Sequence, residues 1–209
     1  DTLEPVTAHR RATARIETPR RRDGVARRAH GHLAARRAEQ ARGWFQAEVR
    51  EFLTSNRDDF PTESYDTAEG FAQHRAWDKV LYDAGLSVIT WPQSYGGRDA
   101  TLLQWIVFEE EYFRAGAPGR ASANGTSMLA PTLFAHGTEE QQRRILPKMA
   151  SGEEIWAQAW SEPEAGSDVA NLTCRAEKVD GGWVINGQKT WCSNAHFARS
   201  ILLIARTST

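Results

Sequence analysis

The hydrophobic pattern changes period at Ile155, and that change constrains the fold more than any other feature. Before it, apolar residues recur at helical spacing; after it, they alternate as in strands. From Trp44, the residues Trp44, Phe45, Val49, Phe52 and Leu53 fall on one helical face, with Glu48, Arg50 and Glu51 between them. A second helix is expected from Thr67 to Ala84 with Phe71, Trp77, Val80 and Leu81 inward and Gly85 placed to end it. Pro92 and the pair Gly96-Gly97 demand a turn. Thr101 and Gln104 have the spacing of a capping box. They open a third helix expected to bury Leu102, Leu103, Ile106, Val107 and Phe108 and to leave Glu109, Glu110 and Glu111 on a solvated face. Met128 to Phe134 reads as a further apolar helix stopped at His136-Gly137. Thr138 and Gln141 cap the next one, which Pro147 should kink or end.

Past Ile155 the chain reads as strands. Leu172 to Val179 and Trp183 to Ile185 flank an Asp180-Gly181-Gly182 turn, and Ser200 to Arg206 forms another apolar strand. Asn186-Gly187 is the strongest short hairpin signal in the chain. The fold class is therefore α+β, with an N-terminal all-helical domain over 43–156 and a β-domain over 157–209. Residues 1–42 differ in kind. They hold 11 Arg, no Lys and 5 acids, a net charge of +6, whereas the remainder is −7. Without interleaved aromatics or a recognition motif, this segment reads as a solvated, disordered extension rather than a nucleic-acid-binding arm.

A chain of 209 residues can enclose a real core. No run of about 18 apolar residues is present, so no membrane span is expected. Cys174 and Cys192 are the only cysteines and match no metal-site spacing. They are expected on nearby strands as small buried hydrophobes, in a reducing compartment. Of the eight Trp, about six are expected in the core, given the area each ring buries.

Two segments of the β-region pair a Trp with hydroxyl side chains. One runs Gln158-Ala159-Trp160-Ser161-Glu162-Pro163-Glu164-Ala165-Gly166-Ser167-Asp168, the other Asn186-Gly187-Gln188-Lys189-Thr190-Trp191-Cys192-Ser193-Asn194. An apolar plate beside a hydrogen-bond donor suits a flat, heteroatom-rich ring. No Gly-x-Gly-x-x-Gly, P-loop or His-Glu-x-x-His motif competes with that reading.

From about residue 45 onward the chain resembles the acyl-CoA dehydrogenase family. Ser161-Glu162-Pro163 with Gly166-Ser167-Asp168, and Asn186-Gly187-Gln188-Lys189 with Trp191-Cys192-Ser193-Asn194, are similar to the two flavin-contacting blocks of that family's middle domain. Pro92-Gln93-Ser94-Tyr95-Gly96-Gly97 and His136-Gly137-Thr138-Glu139-Glu140-Gln141 resemble elements of its N-terminal domain. The resemblance implies FAD as cofactor, acyl-CoA as substrate and electron-transfer flavoprotein as electron acceptor. It implies that Ser161 and Ser193 hydrogen-bond the isoalloxazine, with Ser193 close to N5, that Gln158 and Trp160 line it with backbone groups, that Trp191 covers it, and that Cys192 is among the cofactor-binding residues. Ser167 would stand at the acyl-CoA entrance, and Asp168 would tie down the Gly166 turn.

In the family the middle domain is a small β-barrel, followed by a helical bundle that carries the catalytic base. The 209 residues hold only part of such a barrel and no such bundle, so the chain reads as a fragment or one piece of something larger, inactive alone. Glu162 and Glu164 lie beside the flavin motif, but Glu162 is assigned to the turn before Pro163 rather than to catalysis. The resemblance also implies a homo- or hetero-oligomer, a tetramer in the usual case, in a bacterial cytoplasm rather than a mitochondrial matrix. Acyl-CoA oxidases and flavin monooxygenases share these blocks. A non-catalytic subunit shaping a partner's flavin and acyl-CoA site is the reading from another class.

Overall fold

A computed structural model describes residues 39 and 42–208. The expectation for residues 1–42 therefore lies almost wholly outside the described residues. Residues 44–209 form one compact unit.

The architecture is α+β, helices first and strands after. The first helix, α1, is helical over 42–55 and buries Phe45, Val49 and Leu53, one residue per turn. Trp44, expected on that face, is 84% exposed because it precedes the buried row by one position, about 100° around the helix. The next helix, α2 (Ala68–Asp83), starts where the Thr67 side chain accepts from Gly70 N–H and ends before Gly85, whose φ is +66°. It inserts Trp77 and Leu81 among Phe45, Val49, Leu53, Ile89, Val107 and Phe108. Trp77 Nε1 donates to Tyr112 Oη at 2.6 Å, so the largest core ring keeps its polar group satisfied.

The third helix, α3 (Leu102–Arg114), opens on the expected Thr101/Gln104 capping box. Its buried stripe is Val107, Phe108, Glu111 and Tyr112. Leu102, Leu103 and Ile106, expected inward, are exposed, because no described element covers that flank. Glu111 corrects the solvated-face expectation. Its carboxylate is buried, accepting from Gln46 Nε2 at 2.7 Å and from Arg50 Nε and Nη2 at 3.0 Å. That ionic hydrogen bonding to Arg50 holds its pKa down at about 2. A π-turn, Gly125–Leu129, leads directly into α4 (Ala130–His136). The last helix, α5 (Glu139–Ala150), opens on the Thr138/Gln141 capping box. It runs through Pro147 instead of stopping there, since Leu146, Met149 and Ala150 are buried around it and packing outweighs one lost backbone bond.

The strands form two open pairs rather than a closed barrel. Parallel β1 (Trp156–Ala159) and β4 (Ser200–Leu203) align Gln158 with Leu202. Antiparallel β2 (Arg175–Val179) and β3 (Gly182–Asn186) are joined at Asp180-Gly181. Asn186-Gly187 therefore turns no hairpin. Gly187 ends β3 where an added Cβ would meet Cys174 Cα at 2.7 Å, so the glycine serves close packing. The two cysteines also depart from expectation. Cys174 is buried just before β2, and Cys192 is half-buried in a loop, neither within a strand. Trp77 and Trp91 alone among the eight Trp are buried; Trp44, Trp105, Trp183 and Trp191 are exposed.

Candidate functional site

The two Trp–hydroxyl segments, about thirty residues apart in sequence, meet edge to edge. β1 carries Gln158 between the buried Ala157 and Ala159, and the chain leaves it as Trp160-Ser161. Ser161 C=O then accepts from Thr190 N–H at 2.9 Å, which draws the Lys189–Ser193 segment alongside. Glu162 and Ala165 exchange two backbone hydrogen bonds, 2.8 and 3.2 Å, so Pro163-Glu164 makes a tight reversal. Gly166, Ser167 and Asp168 follow it, exposed.

A buried ion pair fastens this junction. Lys189 Nζ donates to Trp160 C=O and to Glu162 Oε1, both at 2.9 Å. The second Glu162 oxygen accepts from Thr173 N–H at 2.6 Å and Thr173 Oγ1 at 2.8 Å, and Cys174 N–H donates to Oε1 at 2.9 Å. The two charged side chains are 9% and 4% exposed. The Thr173 N–H first, then the Lys189 ammonium, hold the Glu162 pKa down at about 2. Glu162 thus does more than serve the turn before Pro163: it ties three separate stretches together. Asp168 is corrected too. Its carboxylate accepts from Asn171 Nδ2 at 2.6 Å and holds the short turn Val169–Asn171 rather than the Gly166 turn.

Trp191 takes a left-handed backbone conformation, φ +57°, uncommon for a bulky residue, and its side chain is 87% exposed. Strain of this kind persists where the surroundings fix it. Here Thr190 N–H is fixed on Ser161, and Ser193 N–H donates back to Trp191 C=O at 3.0 Å. Cys192 is half-buried and Ser193 exposed. Past Ser193 the loop is pinned to α2 and the turn before it: Asn194 Nδ2 donates to Tyr65 Oη at 2.9 Å, and Phe197 stacks on Phe71 at 4.2 Å. Lys189, Thr173, Tyr65 and Asn194 were not assigned from sequence. A Lys and a Glu, one in each block, were the available signal for the ion pair; the Tyr65 contact has no local signal.

Within this junction Gln158 Oε1, Trp160 Nε1 and Thr190 Oγ1 are buried without a hydrogen-bond partner among the described residues. Buried polar atoms normally have one. An unpartnered donor and acceptors next to an exposed indole fit a flat ring with both kinds of polar edge. A separate cavity of about 810 Å³, lined by Trp91, Trp105, Phe108, Tyr112 and Arg120 among others, lies in the helical region and includes none of the predicted ring-contact residues.

Comparisons with known proteins follow the same division of the chain. Residues 39–153 match the N-terminal domain of acyl-CoA dehydrogenases, and residues 157–209 match the middle domain. The acyl-CoA dehydrogenase IpdE1 of Mycolicibacterium smegmatis is 42% identical over 182 residues, 78% of this chain and 46% of the relative. The mitochondrial isovaleryl-CoA dehydrogenase of Oryza sativa subsp. japonica is 34% identical over 189 residues, 90% of this chain and 46% of the relative. Among solved structures, the ChsE4-ChsE5 complex from Mycobacterium tuberculosis superposes with a TM-score of 0.67 at 29% identity, covering 80% of this chain and 43% of that one. The chain thus spans under half the length of these relatives.

Proposed function

The chain belongs to the acyl-CoA dehydrogenase family, and on that premise we propose that its Trp160–Ser161 and Trp191–Ser193 edges hold the isoalloxazine ring of FAD in a protein that dehydrogenates an acyl-CoA thioester between its α and β carbons. The observation that carries this reading is the Thr190 N–H to Ser161 C=O bond, which unites the two Trp–hydroxyl segments into one surface. Bound FAD would supply the hydride acceptor for the β-carbon.

The chain's own residues would bind and orient. Trp191 offers an exposed indole face, the Ser161 and Ser193 hydroxyls would offer polar partners, and Gln158 and Trp160 would line the ring with backbone groups. Donors fixed in advance where negative charge develops lower such a barrier. Ser167, exposed after the Pro163-Glu164 reversal, would face the entering acyl-CoA arm.

By the family resemblance, the α-proton base would come from the helical bundle rather than from the described residues. Glu162 is closest in sequence to the site, but its oxygens are taken by Thr173, Cys174 and Lys189, and its pKa of about 2 is far too low for that task. Residues 1–209 alone are therefore expected to turn over acyl-CoA at least 10²-fold more slowly than the complete enzyme. Electrons would pass to an electron-transfer flavoprotein, and the two free thiols suit a bacterial cytoplasm.

One observation favours a second reading, a subunit that completes a partner's site: one structural neighbour is a complex of two named components. Acyl-CoA-dependent dye reduction by the isolated, flavin-loaded full-length protein, against the same assay with co-purifying partners, separates the two. Activity of the isolated protein supports the enzyme reading; activity only with a partner supports the second; flavin binding by neither overturns both.

A further inference from the structure

Lys189 makes two contacts that do different work. One, to Glu162 Oε1 at 2.9 Å, neutralises a buried carboxylate. The other, to Trp160 C=O at 2.9 Å, fixes a peptide group inside the first Trp–hydroxyl segment. Lys189 itself belongs to the second segment, one residue before Thr190 and two before Trp191. Its ammonium therefore spans the junction from one ring-contacting edge to the other, parallel to the single backbone bond Thr190 N–H to Ser161 C=O. Glu162 anchors the ammonium from behind. Its carboxylate is itself held by Thr173 N–H, Thr173 Oγ1 and Cys174 N–H, at the entry to β2.

That makes a chain of fixed points: β2 entry, Glu162, Lys189, Trp160. With a carboxylate held by three other donors, the ammonium has little freedom to follow a displaced partner. Charge-assisted bonds of this kind are the stronger and shorter class. Remove the ammonium, and the two edges keep one neutral hydrogen bond between them while Trp191 still needs its strained φ of +57°.

We propose that Lys189 is a positioning residue for the ring site: its ammonium, anchored by Glu162 and donating to Trp160 C=O, sets the separation between the Trp160–Ser161 and Trp191–Ser193 edges, and thereby how tightly and in what environment the isoalloxazine is held. This rests on the flavin-binding reading above and adds to it the residue that gauges the site.

The test titrates FAD into the purified protein and three variants, following visible absorption and thermal unfolding together. Lys189→Met keeps an unbranched stem one atom shorter and removes the charge and both bonds. Lys189→Arg keeps the charge, but its longer side chain and planar guanidinium change the geometry of both bonds. Ser87→Ala is the stability control. It loses the buried bond from Ser87 Oγ to Ala150 C=O, far from the junction in sequence and outside the ring site. The expected result is FAD affinity at least 10-fold weaker in Lys189→Met, several-fold weaker in Lys189→Arg, and a visible band of the bound flavin shifted in both. Ser87→Ala should lower the unfolding temperature and leave affinity and spectrum as in the parent. Wild-type affinity and spectrum in Lys189→Met overturn the proposal. So does a loss no greater than that of Ser87→Ala at matched unfolding temperature. Should Lys189→Met not fold, Lys189→Arg decides alone, and unchanged FAD affinity and spectrum there overturn the proposal. A parent protein that takes up no FAD contradicts the flavin reading instead, before any variant is compared.

Discussion

Asp78 sits with one carboxylate oxygen accepting Ser122 N–H at 2.7 Å and the other buried without a partner. Burial comes first among the causes that push its pKa up to about 6 from 3.8. A raised folded pKa means the protonated form suits the fold. Its contribution is fully present below pH 3.8 and is lost as pH rises through about 6, on the order of 3 kcal/mol in all. Asp78→Asn, which cannot ionise, should therefore compare more favourably with the parent at pH 7 than at pH 4 by that order. Urea unfolding at the two pH values measures this, and an equal difference at both contradicts it. Trp191 makes the opposite kind of prediction. At 87% exposure it supports no core, so Trp191→Ala should leave the unfolding temperature nearly unchanged. Its lost stacking should weaken FAD binding by about 1–3 kcal/mol, roughly 5- to 150-fold; an FAD titration reads this directly. Residue-scale roles were only partly legible in sequence. That the Trp160–Ser161 and Trp191–Ser193 segments belong together was marked by their motifs, and the Thr190–Ser161 bond joins them. Glu111 and Asp78 were not marked, because a buried carboxylate looks like a solvated one until its partners, as far away as Arg50 and Ser122, are known.

Local signals decided the elements well where they were chemically specific. Both capping boxes formed, since each needs only a Thr and a Gln three residues apart. Thr138→Ala should destabilise the protein by about 1 kcal/mol, as denaturant unfolding would show. Signals that depend on competition between neighbours were misread. Asn186-Gly187 has the composition of a tight hairpin, but Asp180-Gly181 closes the β2–β3 pair first, and Gly187 is needed for its missing side chain. Gly187→Ala would force a Cβ to 2.7 Å from Cys174 Cα, next to the Cys174 N–H that holds Glu162. It should cost about 1–3 kcal/mol by crowding and weaken FAD binding as well. Unchanged stability and affinity would count against the packing role given to Gly187. Likewise α3 has a continuous apolar pattern from Leu102, yet its burial begins at Val107, because periodicity gives a face and not its cover.

At the scale of the molecule, the change of period at Ile155 was sufficient to place helices before strands, and β1 begins at Trp156. Sequence spacing could not give the parallel β1–β4 pairing, which joins strands some forty residues apart. Nor could it give the Tyr65–Asn194 and Phe71–Phe197 contacts that seat the second Trp–hydroxyl segment on α2 and the turn before it. Among the described residues no helix is long and apolar enough to cross a membrane. What the whole assembly does depends on one physical claim, that the two segments joined at Ser161 and Thr190 grip a flavin ring. The most direct measurement is the visible spectrum of the protein purified from its own cells and offered FAD, after unbound cofactor is removed. Retention of about one FAD per chain, with a band envelope changed from free flavin and lost in Trp191→Ala, is the predicted result. A colourless protein, or one whose retained flavin is indifferent to Trp191, would contradict it.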